Sequence, residues 1–117
     1  MTAVEKNIKD KNFKNLKENL QILKKSKNVE GKKFKIIKIP MPKSICINNV
    51  KVPASYMNFY IANKVVLLPV FNDENDKKVF SIFKKFFKTR KIVPIDCSKL
   101  IWGFGAIHCM TQQEPLV

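Results

Sequence analysis

The residues that could do chemistry gather near the end of the chain. In Leu100-Ile101-Trp102-Gly103-Phe104-Gly105-Ala106-Ile107-His108-Cys109-Met110-Thr111-Gln112-Gln113, a cysteine follows a pair of glycines and sits in what reads as a short β-type run. Glycine lets the backbone come close to a bound molecule because it has no side chain. A thiolate is a strong nucleophile that splits one difficult displacement into two easier ones. The stretch therefore reads as a nucleophile's seat at Cys109. On residue type alone the opposite reading is favoured, because an isolated free cysteine is usually a small buried hydrophobe; the flanking sequence has to reverse that preference.

The other reactive side chains are sparse. Cys46, Cys97 and Cys109 are odd in number and widely spaced, which argues for reduced thiols rather than a disulfide framework or a zinc site of paired cysteines. His108 is the sole histidine, so no metal site is expected and no cofactor is implied. As a general base it would have to share a face with Cys109, yet neighbours in a strand point to opposite faces. It is expected to pack or hydrogen-bond behind the cysteine. Gln112 and Gln113 read as solvent or backbone partners, and Asp96 as a turn-former at the end of a strand.

Elements must hold this stretch in place. Phe13, Leu16, Leu20 and Leu23 recur at helical spacing, predicting an amphipathic helix over about 12–26, with Asp10 or Asn12 as its cap and Lys24, Lys25 and Lys27 at its negative end. Gly31 breaks that pattern. Phe34–Ile39 alternates as a strand stopped by Pro40 and Pro42, and Ile45–Val50 reads as a further short strand. Tyr56–Ala62 and Val65–Phe71, turning at Asn63-Lys64, read as strands covered on both faces. If so, Tyr56 and Asn58 lie on one face and share one fate. Asn72-Asp73 is expected to cap a second helix over 74–87, and Lys91–Asp96 to return as a strand. Residues 55–96 thus spell strand, strand, helix, strand.

Charge is the most conspicuous property of the composition and the least specific. The net charge is +14, which by itself suggests polyanion binding. All but one of the basic residues are lysines, with Arg90 the exception, whereas bidentate recognition of phosphates and bases favours arginine. The lysines are also spread along the chain. They read as a solvated surface, without a specific nucleic-acid partner. The apolar run Val65–Phe71 is interrupted by Pro69 and falls far short of the ~20 residues of a membrane helix. The N-terminus has no signal-type apolar segment. A soluble α/β protein of the cytoplasm is the expectation.

The wording around Cys109 carries a family resemblance. Gly-x-Gly-x-Ile-His-Cys-x-Thr-Gln-Gln-x-Pro, from Gly103 to Pro115, resembles the C-terminal end of the agmatine deiminase family, which is related to the bacterial peptidyl-arginine deiminases. Ile37–Lys43 and Pro53–Asn63 are similar to two further signatures of that family in the same order. Residues 10–117 are covered, leaving 1–9 as an unmatched N-terminal extension. Members are longer than one small domain, so the chain reads as the last third of such an enzyme.

The resemblance implies fold and chemistry together. The fold would be an incomplete part, about one and a half ββαβ blades, of a five-bladed α/β propeller, the pentein fold. Cys109 would be the catalytic nucleophile converting agmatine to N-carbamoylputrescine and ammonia in putrescine formation. Trp102, Gly103 and Gly105 would form the loop against the guanidino substrate, with Asn58 a further substrate-site candidate. Relatives commonly carry glycine where Phe104 stands, and glycine or asparagine where Ala106 stands. These departures bear on the pocket's shape and polar contacts. The catalytic histidine and the guanidinium-gripping carboxylates lie on earlier blades, so activity is expected to depend on a complementing N-terminal part. Open sheet edges further suggest such a partner or self-association. The alternatives are deimination of arginine side chains, an inactive fragment that binds a partner, and a basic polyanion binder.

Overall fold

The structure, a computed structural model, describes residues 1–115 and forms two compact units that meet in the chain at Met41 and Pro42. In the first unit, β1 (Thr2–Val4) pairs in parallel with β2 (Lys38–Pro40), Ala3 opposite Ile39. Parallel partners need a long crossover, and α1 (Phe13–Lys25) lies within it. Its face follows the predicted period, with Phe13, Leu16, Leu20 and Leu23 half-buried and Lys14 and Lys17 exposed. The expected cap is absent: Asn12 makes no side-chain cap bond, and Asp10 Oδ1 instead accepts the Asn12 N–H at 2.8 Å. The strand expected over Phe34–Ile39 shrinks and shifts onto Lys38–Pro40. Pro40 belongs to the strand, and the Met41 N–H continues the ladder to the Val4 carbonyl at 3.1 Å.

The second unit begins with a hairpin where one strand was expected. β3 (Cys46–Ile47) and β4 (Val50–Lys51) pair antiparallel across Asn48 and Asn49, whose φ values of 49° and 62° are left-handed. Two such residues suit the tight primed turns that join hairpin strands, and asparagine tolerates that region better than most residues.

The strand-strand-helix-strand order is present as read. β5 (Tyr60–Ile61) runs antiparallel to β6 (Val65–Val70), α2 (Asn75–Phe86) follows, and β7 (Lys91–Asp96) returns parallel to β6. Val66 and Leu68 on one face and Pro69 on the other are fully buried, while Val65, Leu67 and Val70 keep some exposure, so both faces of β6 are largely but not completely covered. At the start of α2, Asp73 Oδ1 accepts the Asn75 N–H at 2.8 Å and Asp76 Oδ2 accepts the Asp73 N–H at 3.0 Å. Asn72 has left the cap: with φ 56° it donates to Asp96 and Ser98.

The strand expected over Tyr56–Ala62 is reduced to Tyr60–Ile61, and Tyr56 and Met57 form a turn. Side-chain anchoring explains this. The fully buried Tyr56 donates its hydroxyl to Asp76 Oδ1 at 2.6 Å and packs edge-on to Phe71 at 5.7 Å. Phe59 packs edge-on to Phe83 at 4.9 Å and Phe87 at 6.0 Å. A hydrogen bond to a charged acceptor is worth about 1.5–3 kcal/mol, and each aromatic pair adds about 0.5–1.5. Together these exceed the ~1 kcal/mol span of strand propensity. Both anchors sit on or beside α2 and leave Asn58 between them.

Candidate active site

The cysteine's surroundings are built from the end of β7 onward. Asp96 accepts from the Ser98 N–H at 2.8 Å, the Ser98 hydroxyl and Asn72 Nδ2, which makes it the turn-former expected of it. The Ser98 bonds are the main reason its carboxyl lies below the usual range. Buried Cys97 donates its N–H to the Val70 carbonyl at 2.8 Å, and its own carbonyl accepts from Ile101 at 2.9 Å. A 3-10 turn over Leu100–Gly103 follows, pinned by buried Ile101 and closed by Phe104 in the left-handed region, φ 60°. Such a backbone costs a non-glycine residue about 1–2 kcal/mol.

Cys109 lies in a second 3-10 turn, His108–Met110, and not in the β-type run expected. Its thiol is exposed, above the buried pair Ala106 and Ile107. Asn58 grips it from across the chain. Asn58 Nδ2 donates to Cys109 Sγ at 2.9 Å, and Asn58 Oδ1 accepts the Cys109 N–H at 3.3 Å. The Asn58 carbonyl also accepts the His108 N–H at 3.2 Å. The Asn58 amide is the largest influence holding the thiol below its ordinary pKa, followed by the Ala106 N–H. Donors to sulfur favour the thiolate because the anion is the better acceptor.

The two glycines differ. A Cβ on Gly105 would fall 2.9 Å from Cys109 Cβ and 3.4 Å from Sγ, so only glycine fits beside this cysteine without displacing it. A Cβ on Gly103 would meet nothing within 4 Å. Trp102 is 64% exposed, on the turn that leads in, and takes no part in the grip on Cys109. Phe104 and Met110 are also largely exposed, which gives this end of the molecule an apolar rim.

Tyr56 and Asn58 do not share one fate. Tyr56 is a buried support whose hydroxyl is pushed well above the ordinary tyrosine range, by burial first and by Asp76 second. Asn58 is turned to Cys109. His108 is exposed rather than packed behind the cysteine, since successive residues of a 3-10 turn do not alternate as a strand does. It borders a hollow of about 310 Å³ with Met57, Phe59, Ile61 and Gln113. A larger open hollow of about 650 Å³ lies between the β5–β6 turn and Gln113–Pro115, and Cys109 does not line it. Among the described residues no group of three His, Cys, Asp or Glu side chains could hold a metal ion, and no helix is long and apolar enough to cross a membrane. The sequence reading missed the grip of Asn58 on Cys109. No local pattern encodes a contact between groups 51 positions apart.

The model of the Porphyromonas-type peptidyl-arginine deiminase family matches residues 1–115, including the first nine that carried no evident signature. A Legionella pneumophila (strain Paris) protein named "Putative agmatine deiminase" is 35% identical over 116 residues, which is 98% of this chain and 34% of that protein. A crystal structure titled "Putative Arginine Deiminase from Porphyromonas gingivalis" is similar with a TM-score of 0.93 at 28% identity, covering 97% of this chain and 33% of that one. For the agmatine deiminase of Enterococcus faecalis the TM-score is 0.85 at 27% identity, covering 97% and 36%. The chain thus spans about a third of the length of the relatives it matches.

Proposed function

This chain belongs to the Porphyromonas-type peptidyl-arginine deiminase family and carries part of the pentein fold, and from that premise we propose that Cys109 is the nucleophile of a guanidine-hydrolysing site whose substrate is agmatine. The observation that carries this is the exposed thiol held by Asn58 in a turn that only glycine at 105 accommodates. The thiolate adds to the guanidinium carbon, forming a C–S bond. A proton passes to one amino nitrogen, which leaves as ammonia. Water then adds to the S-alkylthiouronium carbon, the C–S bond breaks, and the thiolate returns. Guanidinium and water thereby give N-carbamoylputrescine and ammonium, and the product enters putrescine formation. Trp102, Gly103 and Gly105 form the wall beside the reacting carbon, with Asn58 at its edge. The cytoplasm, which keeps thiols reduced, suits this chemistry.

The groups that protonate the leaving amine and activate water are each worth ~10²–10⁴-fold. The family resemblance places these groups and the carboxylates that grip a guanidinium on earlier blades, so in this proposal they are supplied by a complementing N-terminal part. The test is ammonia release from agmatine by the chain with and without the N-terminal part of a relative, with Cys109→Ala as control. Release that needs both the added part and Cys109 supports the proposal; release that survives Cys109→Ala sinks it. The family model's description favours arginine side chains as a second reading. A peptidyl-arginine substrate assayed in parallel decides between them by the ratio of kcat/KM.

A further inference from the structure

Phe104 stands where folding alone calls for glycine. Among the described residues the left-handed positions are Gly31, Asn48, Asn49, Asn72 and Phe104. Glycine and asparagine visit this region at low cost, whereas a bulky side chain there is an outlier. The neighbouring glycine sharpens the contrast. Gly103 is not left-handed, and a Cβ on it would meet nothing within 4 Å. The chain thus carries glycine where a side chain fits and phenylalanine where the backbone favours glycine.

Burial does not offset this strain. The Phe104 side chain is 60% exposed, and the turn it closes is held by buried Ile101, whose carbonyl accepts the Phe104 N–H at 3.0 Å, a backbone bond that glycine would make equally well. Strain of this kind collects at functional sites, where the geometry has a use other than stability. The place of Phe104 supplies that use. Gly105, the next residue, lies against the nucleophile: a Cβ there would fall 2.9 Å from Cys109 Cβ and 3.4 Å from Sγ. Consecutive Cα atoms are about 3.8 Å apart, so the benzyl group is rooted one residue from the contact that seats Cys109. It is long enough to meet a chain leaving a carbon bonded to that sulfur.

We propose that Phe104 is a specificity-determining residue whose ring takes the unbranched alkyl chain of the guanidino substrate and the cation at its far end. This rests on the reading of Cys109 as the nucleophile of a site for agmatine, and assigns the choice of agmatine over an arginine side chain to this ring. The two substrates are alike as far as the third methylene from the guanidino group. Beyond it agmatine continues as a fourth methylene and an ammonium, whereas a peptidyl arginine branches into two neutral amides. An aromatic face attracts the cation, by about two- to fivefold at an exposed site. Full burial of one methylene is worth about fourfold, so a chain lying along one side of the ring gains about two- to tenfold.

The experiment alkylates the 117-residue chain with iodoacetamide, N-(5,5-dimethylhexyl)iodoacetamide and its cationic isostere N-[4-(trimethylammonio)butyl]iodoacetamide, and reads each cysteine by site-resolved mass spectrometry. The S–C bond forms and iodide leaves with its electron pair, so no deiminase activity is required. Each rate is divided by that of plain iodoacetamide at the same cysteine, which removes differences in thiolate content, and exposed Cys46 is the reference. In the wild type the neutral-tail ratio at Cys109 is expected to exceed that at Cys46 by about two- to tenfold. Phe104→Ala and Phe104→Gly should abolish the excess. Phe104→Leu, equal in charge, should keep the neutral-tail ratio and lose about two- to fivefold of the cationic one. Cys97, buried in the folded unit, reports folding by its protection; Phe104→Gly relieves the strained backbone and decides if Phe104→Ala loses that protection.

Equal ratios at Cys109 and Cys46 in the wild type, or a Cys109 ratio unmoved by Phe104→Gly, overturn the proposal. So does a cationic ratio unmoved by Phe104→Leu, and so does loss of Cys97 protection in both ring-free variants, which would make Phe104 a structural residue. Tail ratios that follow Phe104 alongside an absence of ammonia release would refute the deiminase reading and leave the ring's role beside this thiol standing. Ammonia release with flat ratios would do the reverse.

Discussion

Replacing Gly105 by alanine places a methyl group 2.9 Å from Cys109 Cβ, nearer than real Cβ contacts come. The atom it meets is fixed by backbone, so no side-chain rotation relieves the clash, and the turn His108–Met110 has to move. Overpacking of this kind costs about 1–3 kcal/mol. For a unit of this size each kcal/mol lowers the thermal midpoint by about 4–8 °C. Movement of the turn also lengthens the 2.9 Å bond from Asn58 Nδ2 to Sγ, so Cys109 loses thiolate character. Gly103→Ala is the built-in control: its Cβ would meet nothing within 4 Å and its φ is not left-handed. By restricting the unfolded chain it should leave stability unchanged or raise it by up to about 1 kcal/mol. Thermal unfolding with iodoacetamide alkylation of Cys109 at neutral pH reads both effects. The expected result is a lowered midpoint and slower alkylation for Gly105→Ala alone. Equal midpoints and equal alkylation rates for the two variants would refute the assignment of Gly105 as the residue that makes room for the cysteine.

Three further outcomes follow from the same geometry. Tyr56 has a folded pKa raised above its ordinary value of 10.0, so its contribution to stability is complete below about pH 10 and is lost as pH rises beyond it; unfolding followed by tyrosinate absorbance should show Tyr56 ionising only as the second unit unfolds, and Tyr56→Phe should remove that alkaline dependence. Phe104→Gly relieves a left-handed φ at a residue that is 60% exposed; setting about 1–2 kcal/mol of relief against about 0.5–1 of added chain entropy predicts a gain of up to about 1.5 kcal/mol by denaturant titration, absent in Phe104→Ala. Alkylation of the native chain should run fastest at Cys109 and be negligible at Cys97, which is buried and whose thiol burial pushes up; fast reaction at Cys97 without unfolding would contradict the packing beneath the turns.

What could be read from sequence was whatever repeats locally. α2 and β7 came out within a residue or so because Val79 and Phe83 keep the helical period and Lys91–Asp96 is bounded by turn residues. The run Tyr56–Ala62 misled because its apolar residues look like a strand, while distant partners on α2 hold Tyr56 and Phe59 and impose a turn. The pairing of β1 with β2 rests on three residues each, across a helix, and has no local signature. The Asn48-Asn49 hairpin was available from turn chemistry, since consecutive asparagines tolerate left-handed φ. At the site, Cys109 stood out through its flanking motif, whereas the strand assumed for it misplaced His108. The grip of Asn58 exists only once both turns are folded.

The most direct test is to acid-quench the chain, assembled with the N-terminal part of a relative, during turnover of agmatine and to map the adduct by peptide mass spectrometry. A substrate-derived thiouronium on Cys109, absent in Cys109→Ala and carried by neither Cys46 nor Cys97, is the predicted result. Ammonia release with no adduct on Cys109, or with the adduct on another cysteine, would contradict its role as nucleophile.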